Sequence, residues 1–265
     1  MASRARATLE ALLRARRLDA GLVPVSPSTE APAHLLASTG QAALDARLGG
    51  GWPRGQVSEV VGCRTSGRTR LALTSMAAAT RRGELAALVD TLDVFDPDST
   101  QPLDPDWSLW LWVRGRGLGV TRHRPGAMRV GDDHDLLAQA VDRALKATAM
   151  VLAAGGFGMV VLDLADVPAA LLRRQPFTTW IRLQRLVEGR EAVCLVVAPD
   201  PLTRSAGGVS VRLTVAAGEG HGWLGSSDWS RRFMAPGTRV TLARSRFVPD
   251  DAEARPMRSA QPSGW

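Results

Sequence analysis

The chain has 265 residues, 45% apolar and 22% charged, which suits one large α/β domain with small appendages and excludes a disordered polymer. Its formal net charge of +7 points to a polyanionic partner, yet of 33 basic residues only Lys146 is lysine, so biased base composition accounts for part of that charge. Two cysteines, Cys63 and Cys194, build no disulfide framework and favour a reducing compartment.

The Arg-rich N-terminus lacks the apolar segment of a secretory signal. The most apolar run, residues 149–162, is shorter than the roughly 20 residues of a membrane-spanning helix. A cytoplasmic, nucleoid-associated protein without a membrane partner is therefore expected.

Residues 3–18, SRARATLEALLRARRL, space Leu9, Leu12 and Leu13 as an amphipathic helix with a basic face, either a solvated surface helix or a partner-binding one. Residues 21–32 are rich in Pro, Ser and Thr and read as a linker, making 1–34 an appendage to a core over 35–248. Ser38-Thr39-Gly40 is expected to cap a short helix over 42–48, and the glycine-rich 49–55 forms a turn before a strand over 57–61.

That strand runs into GCRTSGRT, residues 62–69. Against the phosphate-loop template G-x-x-x-x-G-K-[ST], Gly62, Gly67 and Thr69 stand in register, and Arg68 replaces the lysine. Such glycines let backbone N–H groups curl around an anion at a helix N-terminus.

A helix over about 68–82 follows, then a buried strand over 85–90, a Pro/Asp-rich loop over 93–105, and a strand over 109–113 carrying Trp110 and Trp112. Residues 114–133 are Gly/Arg-rich and aperiodic, a mobile loop. Gly115, Gly117 and Gly119 there mimic a dinucleotide fingerprint, but no helix opens after them.

A helix over 135–152 leads to a strand, 159–163, that ends in Asp163. This is the pattern of a central strand carrying a Walker B carboxylate, which orients Mg²⁺ or its water near the loop hydroxyl. A helix over 177–187 and strands over 192–198, 209–215 and 239–243 complete the core. Residues 249–265 are Pro/Ser/Asp-rich and expected to be disordered alone, with Trp265 either a recognition anchor or idle. The histidines His34, His123, His134 and His221 show no metal-ligand spacing with the cysteines.

Together, Ser38-Thr39-Gly40, Leu44-Asp45, Leu48 to Gly51, Pro53, Gly55, the phosphate loop, Val89-Asp90, Asp96-Pro97, Gly207-Gly208 and Arg244-Ser245-Arg246 resemble the RecA recombinase core over roughly residues 35–248. More closely the chain resembles the ImuA group of bacterial mutagenesis-cassette proteins. The resemblance implies an α/β fold, a RecA-like P-loop core with a mostly parallel central sheet flanked by helices.

Departures from the pattern bear on chemistry. Leu92 stands where the recombinase has the glutamate that positions the attacking water, and leucine cannot accept a proton. The neighbouring Asp93 is displaced by one residue. Pro199 replaces a glutamine that senses the γ-phosphate. The segments after Asp163 and Ala198, matching the recombinase's two DNA-binding loops, are short. With Arg68, larger and planar where a compact ammonium is needed, three positions have lost what hydrolysis requires, leaving at most weak ATP/Mg binding through Gly62, Gly67, Arg68, Thr69 and Asp163.

Arg244 and Arg246 match two lysines that in the recombinase reach the neighbouring subunit's nucleotide, or they are a basic strand end in an Arg-rich chain. Arg122, Arg124, Arg173 and Arg174 are candidate DNA phosphate contacts, with His123 beside them. The expected protein is a RecA-like accessory factor without catalysis and without a required cofactor or metal. The ImuA likeness implies partnership with a Y-family polymerase-like protein, an error-prone replicative-type polymerase and RecA in damage-induced translesion synthesis. Basic charge adds sequence-independent DNA binding. Two alternatives stay open: an active DNA-stimulated ATPase or recombinase using Arg68 and Asp93, and a SulA-type cell-division inhibitor.

Overall fold

Six-residue runs of Val, Leu and Ala with no charge in their middle cannot leave either face in water, so they must lie inside a sheet covered on both sides. A computed structural model describes residues 35–115, 132–203, 207–215, 223–224, 232–233, 238–244 and 256–257, all within the body that runs from Ala31 to Trp265. The expected N-terminal helix and linker, residues 116–131 and most of the tail lie outside the described residues, as do Arg122, Arg124, Arg246 and Trp265.

The main strands are β3 (Val57–Gly62), β4 (Leu85–Asp90), β5 (Trp110–Arg114), β6 (Phe157–Asp163), β7 (Val193–Ala198), β8 (Gly207–Val215), β11 (Thr238–Arg244) and β12 (Pro256–Met257). Two-residue strands β1 (Leu36–Ala37) and β2 (Trp52–Pro53) pair with each other, as do β9 (Trp223–Leu224) and β10 (Arg232–Phe233). The eight-stranded sheet has the order β12-β11-β8-β3-β7-β6-β4-β5. β8 through β5 run parallel, while β11 pairs antiparallel with both β8 and β12. The mostly parallel sheet is as expected. Pro256–Met257, within the segment read as an aperiodic tail, forms its edge.

Helices α1 (Ala42–Arg47), α2 (Arg68–Arg81), α3 (Asp132–Ala154), α4 (Ala169–Leu172) and α5 (Phe177–Val187) connect the strands. Alternate strand residues serve two apolar layers. Val60, Leu88, Met159, Val161, Leu195 and Val197 pack with Leu71, Leu73 and Met76 of α2. Val61, Val89, Val160, Leu162 and Val196 pack with Val141 of α3 and Trp180 and Leu183 of α5.

α1 starts differently from the expected cap. Its N-cap is Gln41, without a side-chain bond. Instead the Thr39 and Ser38 hydroxyl oxygens accept the Gln41 and Gly40 N–H groups, each at 3.1 Å, while Asp45 reaches back to accept from the Ser38 hydroxyl at 2.6 Å and the Thr39 N–H at 2.7 Å, bracing the turn that precedes the helix. The loop over 93–105 carries a 3₁₀ helix, Pro97–Leu103, opened by Asp96, whose carboxylate accepts the Asp98 N–H at 3.2 Å.

Register sets the site. Val61 lies beside Ala198, Asp163 beside Val197, and Asp90 between Asp163 and Arg114. The carboxyl ends of β3, β7, β6, β4 and β5 thus meet at one edge, where ligand sites of such sheets form. Two residues before that edge on β3, Glu59, 2% exposed, accepts the N–H groups of Leu202 and Thr203 at 2.8 and 2.9 Å and the Ser210 hydroxyl at 2.7 Å, tying the connection after β7 to β3 and β8. Glu59→Ala strands those buried donors, and urea unfolding should show a loss of about 2–4 kcal/mol; Glu59→Gln, which keeps an acceptor, should lose less.

The phosphate loop and its cleft as candidate functional site

Residues 62–69 join β3 to α2 as the template requires. A Cβ on Gly62 would run into the Leu213 carbonyl and the Ser66 side chain, so only glycine lets β8 and the loop approach this closely. Gly67 caps α2 at φ 88°, in the left-handed region. Thr65 shares that region at φ 70°, where a β-branched residue is strained by about 1–3 kcal/mol. The loop retains its turn geometry.

Its cation does not point outward. Arg68 is buried, its side chain 6% exposed. One amino group of the guanidinium donates to the Gly62 carbonyl and the other to the Ala165 carbonyl. The Asp166 carboxylate lies 3.5 Å away and also stands 3.4 Å from the exposed Arg64. Burial pulls the pKa of Arg68 down, and Asp166 and Asp163 oppose that shift.

A triphosphate in such a loop needs a cation free to face its β- and γ-oxygens. Here the guanidinium is committed to backbone carbonyls across the loop mouth, an arrangement that does not fit those phosphates. Arg suits this use better than Lys, since its planar fork presents donors in two directions at once.

Asp163 ends β6 as expected and accepts the Ala165 N–H at 2.8 Å. Burial pushes its carboxyl up to about 6, assisted by Asp90 and Asp166 and resisted by the Ala165 N–H and Arg68. Asp90, its neighbour in register, is 1% exposed and accepts from the Val94 and Phe95 N–H groups at 3.1 and 2.9 Å and from the Trp112 indole at 3.2 Å. It fixes the segment that follows β4.

Leu92 on that segment packs against the apolar layer and lines the cleft. Asp93, at φ 55°, is bound by both arms of Arg114 at 2.6 and 3.0 Å, and Arg114 stacks over Trp112 at 4.2 Å. With both oxygens taken up by one guanidinium, this carboxylate is poorly placed to orient a water for attack. Pro199 lines the same cleft at the end of β7.

The cleft encloses about 1450 Å³. It gathers Gly62, Arg68, Leu92 and Pro199, but not all the candidate residues. Arg173 turns to Asp200 at 3.3 Å, Arg174 is exposed on the connection into α5, and Arg244 closes β11. Asp166 and the Ala165 carbonyl were missed from sequence; the nearest acid after the Walker B position was the available signal. Cys63 is exposed in the loop, and Cys194 is buried, its thiol pushed up to about 12 by desolvation. Among the described residues no cluster of His, Cys, Asp and Glu could hold a metal, and no helix is long and apolar enough to cross a membrane.

This sheet order, with a phosphate loop after β3 and an aspartate ending β6, defines a RecA-like α/β core. The RecA N-terminal domain family matches residues 26–110. RecA of Paenarthrobacter aurescens is 31% identical over 166 residues, covering 62% of this chain and 41% of that protein. RecA of Prochlorococcus marinus is 50% identical over 115 residues, 43% and 27% of the two chains. RecA of Chlorobaculum parvum is 50% identical over 70 residues, 26% and 20%. The chain is RecA-like by fold and by these matches, and it spans between 20% and 41% of the length of these relatives.

A folded carboxyl titrating near 6 rather than its usual 3.8 binds its proton more tightly folded than unfolded, so it costs stability as pH rises from about 4 to 6 and the full cost persists at pH 7. Asp163→Asn removes that cost. Denaturation should show the variant more stable by about 1–2 kcal/mol at pH 7, allowing for partial exposure, with the gain vanishing near pH 4.

Proposed function

We propose that this chain is an accessory protein of the RecA-like class that has given up hydrolysis and works by binding other proteins. The observation that supports this best is the Arg68 guanidinium turned inward onto the Gly62 and Ala165 carbonyls. Leu92 and Pro199 support it from two other strands. Neither offers a donor or a base to water or phosphate.

Losing one of these groups would slow a phosphoryl transfer. Losing all three removes charge stabilisation, water positioning and γ-phosphate sensing together, and catalysis of that reaction consists of little else. What then remains useful is the rigid core and its surface.

Sequence likeness to the ImuA group supports the setting: a damage-induced mutagenic repair complex, in which the chain bridges a Y-family polymerase-like protein, an error-prone replicative-type polymerase and RecA. The excess of arginine supports weak, salt-sensitive contact with DNA alongside those proteins, from a protein working at the nucleoid in the cytoplasm. No metal or nucleotide is required in this role.

Steady-state ATP hydrolysis by the full chain, with and without single-stranded DNA, should stay at the uncatalysed background, and Arg68→Ala should leave it there. DNA-stimulated turnover that Arg68→Ala abolishes would establish the active ATPase in place of this reading.

A further inference from the structure

The positions that depart from the hydrolytic pattern are not scattered. Leu92 and Pro199 line one cleft, and Arg68 forms part of its wall. At about 1450 Å³ the cleft exceeds the roughly 300–1,000 Å³ of small-molecule sites. Where a hydrolase would place a base and a phosphate sensor, this chain places apolar surface, continued by Val94, Phe95 and Val167. Val94 is 45% exposed.

The apolar wall is built in advance. The buried Asp90 carboxylate holds the Val94 and Phe95 N–H groups, and Phe95 stacks with Trp110 and meets Trp112 edge-on at centroid distances of 6.0 and 5.1 Å. A surface fixed this way loses little freedom when something docks on it.

Charge narrows the occupant. Four arginines, Arg64, Arg68, Arg114 and Arg212, line the cleft with three acids, Asp93, Asp166 and Asp200, a net excess of one. The acids are all engaged: Asp93 by Arg114, Asp166 by Arg64 and Arg68, Asp200 by Arg173. Among the described residues Arg212 has no ion-pair partner. Counting Arg173, five arginines meet three acids, an excess of two, one at Asp166, which Arg64 and Arg68 share, and one at Arg212. A nucleic-acid backbone is held by neutralising several phosphates in a row, which two separated charges do not supply. Apolar walls with a single available guanidinium fit a peptide instead.

Resting on the reading that this chain acts by binding, we propose that the cleft beside the sealed phosphate loop docks an extended segment of a protein partner, which inserts a large apolar side chain against Leu92, Val94 and Phe95 and sets one carboxylate on Arg212.

Display of random twelve-residue peptides against the full chain tests this. Selected sequences should share a large apolar residue near an Asp or Glu. Their affinity, measured with fluorescein-labelled peptides by polarisation, should fall at least ~10-fold in Leu92→Glu and in Arg212→Glu, each checked for folding by circular dichroism. Arg185→Ala, on the exposed face of α5, should bind within about twofold of the parent. The proposal is overturned if no sequence is enriched, if enriched sequences lack the acid, if both cleft variants bind undiminished, or if a 20-nucleotide single strand displaces the peptide. ATP turnover would count against the function proposed above while leaving the peptide site to be judged on its own binding data.

Discussion

A guanidinium carries five N–H donors and cannot lose its charge inside a protein. Once buried, it must find acceptors or cost the fold several kcal/mol. Arg68 satisfies that demand by spanning two backbone carbonyls, Gly62 at the end of β3 and Ala165 just past β6, with Asp166 nearby as counter-charge. The loop that the glycines shape for an anion is therefore bridged from within, and the strand ends on either side of it are joined through one side chain. A lysine, with three donors clustered on one nitrogen, spans a shorter gap between acceptors than the planar guanidinium fork.

Around that bridge three carboxylates tie down the neighbouring connections. Asp90 ties down the segment after β4, Glu59 ties down the connection after β7, and Asp163 holds the turn after β6. Each acid accepts backbone N–H groups from a connection between strands. The connections beside the cleft are thus tethered by side-chain hydrogen bonds, and Leu92 and Pro199 form part of its wall.

Much of the fold was legible in the sequence because parallel strands buried on both faces write themselves as short uninterrupted apolar runs. Leu85–Asp90 and Phe177–Val187 were bounded to the residue. The start of α1 was legible in part: Ser38 and Thr39 do hold the turn before it, but nothing local reveals that Asp45 would turn back to accept from the Ser38 hydroxyl and the Thr39 N–H. In the site, the loop glycines Gly62 and Gly67 and the strand end at Asp163 could be placed from pattern. The direction of Arg68 could not, because its acceptor Ala165 lies 97 residues away and a backbone carbonyl leaves no mark in a sequence. The Asp93–Arg114 pair was hidden for a similar reason: it depends on β4 and β5 being neighbours in register.

Whether the Arg68 bridge closes the loop is measured most directly by calorimetric titration of Mg-ADP into the full chain and into Arg68→Lys. The wild type should give no binding heat at millimolar nucleotide, and the lysine variant, freed of the span to Ala165, should bind. Micromolar binding by the wild type, unchanged or weakened in Arg68→Lys, would contradict the account.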